Sequence, residues 1–88
     1  MILQNTINEA SKTLKKHNIT SHYLDAEIIL AEIIGIPREF LLINNNLSIS
    51  KKVMKKYNSA INRRINREPV AYIIGKKEFW SQNFIVNN

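Results

Sequence analysis

The residues of this chain that are capable of chemistry do not fall into working sets. Seven carboxylates are scattered along 88 residues, and no two can be placed across a cleft for general acid and base work. His17 and His22 lie near the end of one apolar-periodic segment and the start of the next, and the chain contains no Cys. They are read as structural or surface residues rather than metal ligands. Only Gly35 and Gly75 are present, which excludes a Gly-rich phosphate loop. What remains is basic. Lys52, Lys56, Arg63 and Arg67 fall within about 60° of one another when residues 51–66 are wound at 100° per residue, a stripe able to meet phosphates or an acidic protein surface. Arg64 falls on the other side, between Tyr57 and Ala60. A guanidinium there either pairs with Glu68 one turn on or reaches water along its apolar stem.

The elements that must position these groups are helical. Leu3, Ile7, Ala10 and Leu14 form one stripe over residues 2–17. Lys15, Lys16 and His17 complement the carbonyl end of that helix, and Asn18 can take a left-handed cap. Ser21 is a plausible N-cap for a second helix ending at Gly35. Apolar residues cover most of its circumference, with Asp25, Glu27 and Glu32 on what remains of a wet side. It is therefore expected at the centre of a bundle. Pro37 suits the first position of a short helix over 37–43, and Asn44 to Ser50 read as a loop. Ser50 should cap a long helix over 51–66, with Val53, Tyr57, Ala60, Ile61 and Ile65 inward. Pro69 must stop or kink that helix and can start another, closed by Gly75. Past Gly75 the period changes to 2, and residues 76–88 read as a β-hairpin with a three-residue loop.

The fold expected is mainly α: a small bundle of about five helices over 1–75, followed by a C-terminal β-hairpin linker over 76–88. A chain this short buries too little surface for a deep enclosed active site. Hydrophobic content of 44% with 23% charged residues is enough for folding. The formal net charge of +6 favours acidic partners, nucleic acid or protein. No apolar run is long enough to span a bilayer and no signal-peptide pattern opens the chain, so a soluble protein with a cytoplasmic location is expected.

Three blocks carry a family resemblance: Leu24-Asp25-Ala26-Glu27, the Arg63-Arg64 pair, and Glu68-Pro69-Val70-Ala71-Tyr72 with Gly75 and Glu78-Phe79-Trp80. Together they resemble the N-terminal domain of the peptide chain release factor glutamine methyltransferases, the PrmC/HemK family. The resemblance implies a helical bundle, a hairpin linker, and then a Rossmann-like domain that binds S-adenosylmethionine. It also implies an Asn-Pro-Pro-Tyr motif in that last domain, gripping the Gln of a Gly-Gly-Gln loop whose amide nitrogen is methylated. The sequence ends at Asn88 without that motif, so no catalytic, cofactor-binding or metal-binding residue carries over. Arg67 to Trp80 would then be the junction between bundle and linker, with Phe79 and Trp80 pinning opposite faces of the hairpin and Trp80 waiting for the second domain. The expected role is docking of release factors. Lys52, Lys56, Arg63, Arg64, Arg67, Glu68, Tyr72, Glu78, Phe79 and Trp80 are the candidate contacts to that partner or to the catalytic domain. Two other roles stay open: a standalone basic module that binds RNA or protein, and a structural support for its neighbour.

Overall fold

The computed structural model describes residues 1–75, which form five helices: α1 Leu3–Lys16, α2 His22–Ile34, α3 Phe40–Ile43, α4 Lys51–Ile65 and α5 Val70–Ile74. The expected hairpin, with Glu78, Phe79 and Trp80, lies outside the described residues. Helix α2 packs against α1, α4 and α5, and α4 against α1 and α5. That makes α2 the central element, as its composition implies. Leu3, Ile7, Ala10 and Leu14 of α1 are all buried, and they meet Ala26, Ile29, Leu30 and Ala31 of α2 and Tyr57, Ala60 and Ile61 of α4 in one core. Each fully buried Leu or Ile contributes roughly 1.5–3 kcal/mol, so the three long helices hold most of the cohesion. Tyr23 and Leu24, two of the apolar residues on this helix, are exposed. They lie in the first turn of α2, at the edge of the seam with α1, and α2 is less enclosed than its composition suggests.

The helix ends explain where the chain turns. Helix α1 has Ile2 at its N-cap with no side-chain cap. Its free N–H groups are satisfied instead by the loop after α3: Leu3 donates to the carbonyl of Leu47 at 2.8 Å and Gln4 to that of Asn45 at 3.1 Å. An antiparallel bridge pairs Ile2 with Ser48 beside them. At its other end α1 closes with Asn18 at φ 64, Ile19 donating to Leu14 O and Asn18 to Lys15 O. This is the six-to-one and five-to-two pattern of a Schellman cap. Helix α4 starts on Ser50, whose hydroxyl accepts from the Val53 N–H at 3.2 Å, as predicted.

Ser21 differs from expectation. It precedes α2, but its hydroxyl makes no cap bond and donates to the Asp25 carboxylate at 2.9 Å. A carboxylate one turn on is a stronger acceptor than the backbone N–H is a donor, so the side chain turns to it. The helix predicted over 37–43 is confined to Phe40–Ile43. Pro37 opens a turn in which its carbonyl accepts from Phe40 N.

Candidate interaction surface

The outer face of α4 carries the cations. Lys52 and Lys56 are exposed as predicted, and Lys55 and Ser59 share that face. Lys55 was legible at spacing i+3 from Lys52 but lay outside the stripe as drawn. Arg63 closes this face at its C-terminal end. Its guanidinium donates to both carboxylate oxygens of Glu68, with Nε to Oε1 at 2.8 Å, and more weakly to the carbonyl of Tyr72 at 3.4 Å. The hydrogen bonds from Arg63 hold the Glu68 carboxyl below the usual carboxylate range, and Glu68 in turn raises the Arg63 guanidinium. One cation of the expected stripe is thus partly neutralised within the chain.

Arg67 leaves the stripe altogether. Helix α4 stops at Ile65, and Arg67 adopts φ 71. Its N–H donates to Arg64 O, and that of Glu68 to Arg63 O. This is a second Schellman cap, here with Arg in the left-handed position that Gly normally fills. The reversal turns its side chain toward α1, where it donates to the carbonyl of His17 at the C-terminal end of that helix at 2.7 Å. Winding the sequence as one helix to residue 67 missed this, because a helix that must end before Pro69 cannot keep its last cation in register.

Arg64 is also corrected. Its side-chain partner is Asp25 of α2, with Nε to Oδ2 at 2.8 Å, while Glu68 supplies only a backbone carbonyl at 3.4 Å. Asp25 is 5% exposed and also accepts the Ser21 hydroxyl, so the carboxylate enters the core with two donors. Behind this pair, the Tyr57 hydroxyl donates to the carbonyl of Ala26 at 2.8 Å. Burial first, and the negative charge of Glu27 second, push the Tyr57 phenol far above its ordinary value. The residues Asp25, Tyr57 and Arg64 therefore lock α2 to α4.

Both His residues are structural. His22 Nδ1 hydrogen-bonds the Ser11 hydroxyl at 2.7 Å across the α1–α2 seam, and His17 Nδ1 bonds the carbonyl of Thr13 at 3.0 Å. A Ser–His pair is a nucleophile with a base in outline, but Ser11 is buried in the seam between the two helices. Among the described residues, no group of three or more His, Asp or Glu side chains comes together to hold a metal, and no helix is long and apolar enough to cross a membrane.

Two further exposed apolar features lie among the described residues. Tyr72 of α5 is 63% exposed, at the junction the sequence singled out. Phe40, Leu42 and Ile43 of α3, with Leu47 after it, are also exposed. That second cluster was missed, because an apolar run this short in the sequence is as easily core as surface.

Residues 5–75 match the family model of the PrmC N-terminal domain. The chain belongs to the PrmC N-terminal domain family. Relatives of this PrmC N-terminal domain carry the names of methyltransferases. It is 44% identical over 63 residues to the release factor glutamine methyltransferase of Buchnera aphidicola subsp. Schizaphis graminum, covering 72% of this chain and 23% of that protein. It is 36% identical over 84 residues to the release factor glutamine methyltransferase of Clostridium botulinum, covering 96% and 30%. A bifunctional methyltransferase of Rickettsia felis is 40% identical over 85 residues, covering 97% and 16%. The chain thus spans less than a third of the length of each of these relatives. No solved structure matches it.

Proposed function

We propose that this domain docks the substrate of an S-adenosylmethionine-dependent methyltransferase whose target is the Gln side-chain amide of the Gly-Gly-Gln loop in peptide chain release factors. The observation that carries the proposal is the family match over residues 5–75, together with relatives named release factor glutamine methyltransferase in which this chain is only part of the length. Residues 1–75 would be the bundle and 76–88 the linker to a catalytic domain. The chain has two Gly residues and no Gly-rich turn between strand and helix, so it offers no cradle for the cofactor. S-adenosylmethionine belongs to the second domain, and no chemical step falls to residues of this one.

What this chain supplies is position. Holding a release factor so that one Gln reaches the methyl donor converts a bimolecular encounter into a local one. The cations of α4 steer an acidic partner, and exposed Tyr72 offers an apolar anchor with a hydroxyl tip. Two measurements test this. The gene is read past the codon for Asn88: continuation into a Rossmann-like segment with Asn-Pro-Pro-Tyr is expected, and a stop codon overturns the methyltransferase assignment. Full-length enzyme is then compared with enzyme lacking residues 1–75. A raised Michaelis constant for the release factor supports docking, whereas a lowered melting temperature with that constant unchanged assigns the domain a structural role instead.

A further inference from the structure

Between α4, α5 and the C-terminal end of α2 runs a shallow groove of about 440 Å³, continuous with a hollow of about 220 Å³ through the shared residues Ile33, Lys56, Ala60 and Ile73. Its floor is Ile33, Ala60 and Ile73, and its rim is Lys55, Lys56 and Arg63. Lys55 and Lys56 are exposed and form no ion pair among the described residues. Two carboxylates border the groove: Glu68, on Arg63, and Glu32, in the adjoining hollow. With Lys52 one turn earlier on the same face, the cations remain in excess.

We infer that this groove docks an acidic segment of a protein partner, one that lays an apolar side chain on the floor and places carboxylates against Lys55, Lys56 and Arg63. The inference rests on the docking role proposed above and assigns it a place on the surface. Charge decides between occupants. A second copy of this chain carries +6, and residues 76–88 hold Lys76 and Lys77 against Glu78 alone, so neither brings the negative charge the rim requires. Nucleic acid brings the charge but not the fit. The floor is aliphatic and no aromatic ring among the described residues lines the groove, which gives bases no stacking platform there. An acidic segment with an aliphatic anchor satisfies both floor and rim.

The test is a titration of the chain, ¹⁵N-labelled, with purified release factor. It is run on wild type, on Lys55→Glu/Lys56→Glu, and on Lys12→Glu/Lys15→Glu as a control of equal net charge on α1. Circular dichroism confirms folding of each, and Lys55→Gln/Lys56→Gln replaces the reversal if that variant is unfolded. The expected result is amide shifts at Ile33, Ala60 and Ile73 on binding, with affinity about tenfold weaker in the groove variant and nearly unchanged in the control. Equal affinity of both variants for the release factor overturns the groove while leaving the docking role standing. If wild type does not bind release factor, the docking role falls. The groove is then judged with a synthetic helical peptide having a Leu face and a Glu face: shifts at the same three residues uphold it, and their absence overturns it. Binding of poly(U) that is lost in the groove variant, with no binding of the acidic peptide, overturns it in favour of RNA.

Discussion

Replacing Arg64 by Met keeps the apolar stem and removes the guanidinium, and its effect follows from what stays behind. Asp25 is left 5% exposed with the Ser21 hydroxyl as its remaining side-chain donor. Truncating one partner of a buried ion pair costs about 3–5 kcal/mol. Here the lower end applies, since Ser21 and the first turn of α2 still favour the carboxylate, giving about 3 kcal/mol. The reverse change, Asp25→Asn, should cost about 1–2 kcal/mol. It leaves the charge on Arg64, whose side chain is 20% exposed and keeps the Glu68 carbonyl. A domain of this size has roughly 4–13 kcal/mol in total, so Arg64→Met leaves roughly 1–10 kcal/mol. Its Tm should fall by at least about 12 °C. Urea unfolding followed at 222 nm at pH 7 measures both variants and the double variant, which should lose less than the sum by at least about 1 kcal/mol. A loss below about 0.5 kcal/mol for Arg64→Met, or strict additivity, would refute the argument that this pair joins α2 to α4.

Other expectations follow from the same geometry. Tyr57→Phe removes one buried hydrogen bond and should cost about 1 kcal/mol, or about 4–8 °C in Tm. Because the folded phenol is raised above its ordinary value near 10, the stability it contributes is fully present below that pH and lost as pH rises beyond it. The alkaline fall should therefore be shallower in Tyr57→Phe, as thermal melts between pH 8 and 12 would reveal. The Glu68 carboxyl should titrate below the ordinary carboxylate range by ¹³C NMR and move back toward it in Arg63→Met. Its depressed value means that its small stabilisation is present at neutral pH and disappears as the solution is acidified through the folded midpoint. At position 67, Arg67→Gly should be more stable than Arg67→Ala by about 1 kcal/mol, since both lose the bond to His17 O and only Gly relieves the positive φ. Equal stabilities would show that the left-handed turn is not held in solution.

The periodic residues made the core legible. Leu3, Ile7, Ala10 and Leu14, and Tyr57, Ala60 and Ile61, are buried where their spacing puts them, and Asn18, Gly35 and Ser50 end or begin helices as their types require. The basic face of α4 was legible as far as Lys52 and Lys56. What stayed hidden depends on contacts between distant segments. Nothing local tells Arg64 that Asp25, thirty-nine positions earlier, will arrive at its Nε, whereas Glu68 is visible at once. Ser21 was assigned a cap because its type favours one, and the nearby carboxylate outcompeted the backbone. Pro69 announced that α4 must stop but not that Arg67 would turn left-handed and reach back to α1. The groove floor combines Ile33, Ala60 and Ile73 from three helices, and no stretch of sequence displays such a set.

Helix α1 is made first and completed late. The carbonyls that satisfy Leu3 and Gln4 belong to Leu47 and Asn45, so its first turn has no cap until the chain beyond α3 has been synthesised. At roughly 5–20 residues per second that interval is a few seconds, long compared with the microseconds in which a helix forms or melts. During it α1 can rest on α2 through Ile7, Ala10 and Leu14 while its N-terminal turn frays. Arrival of the 45–48 segment then closes the first turn and the Ile2–Ser48 bridge together. Translation thus imposes an order on this bundle: its N-terminus works as a latch, held open until the middle of the chain reaches it.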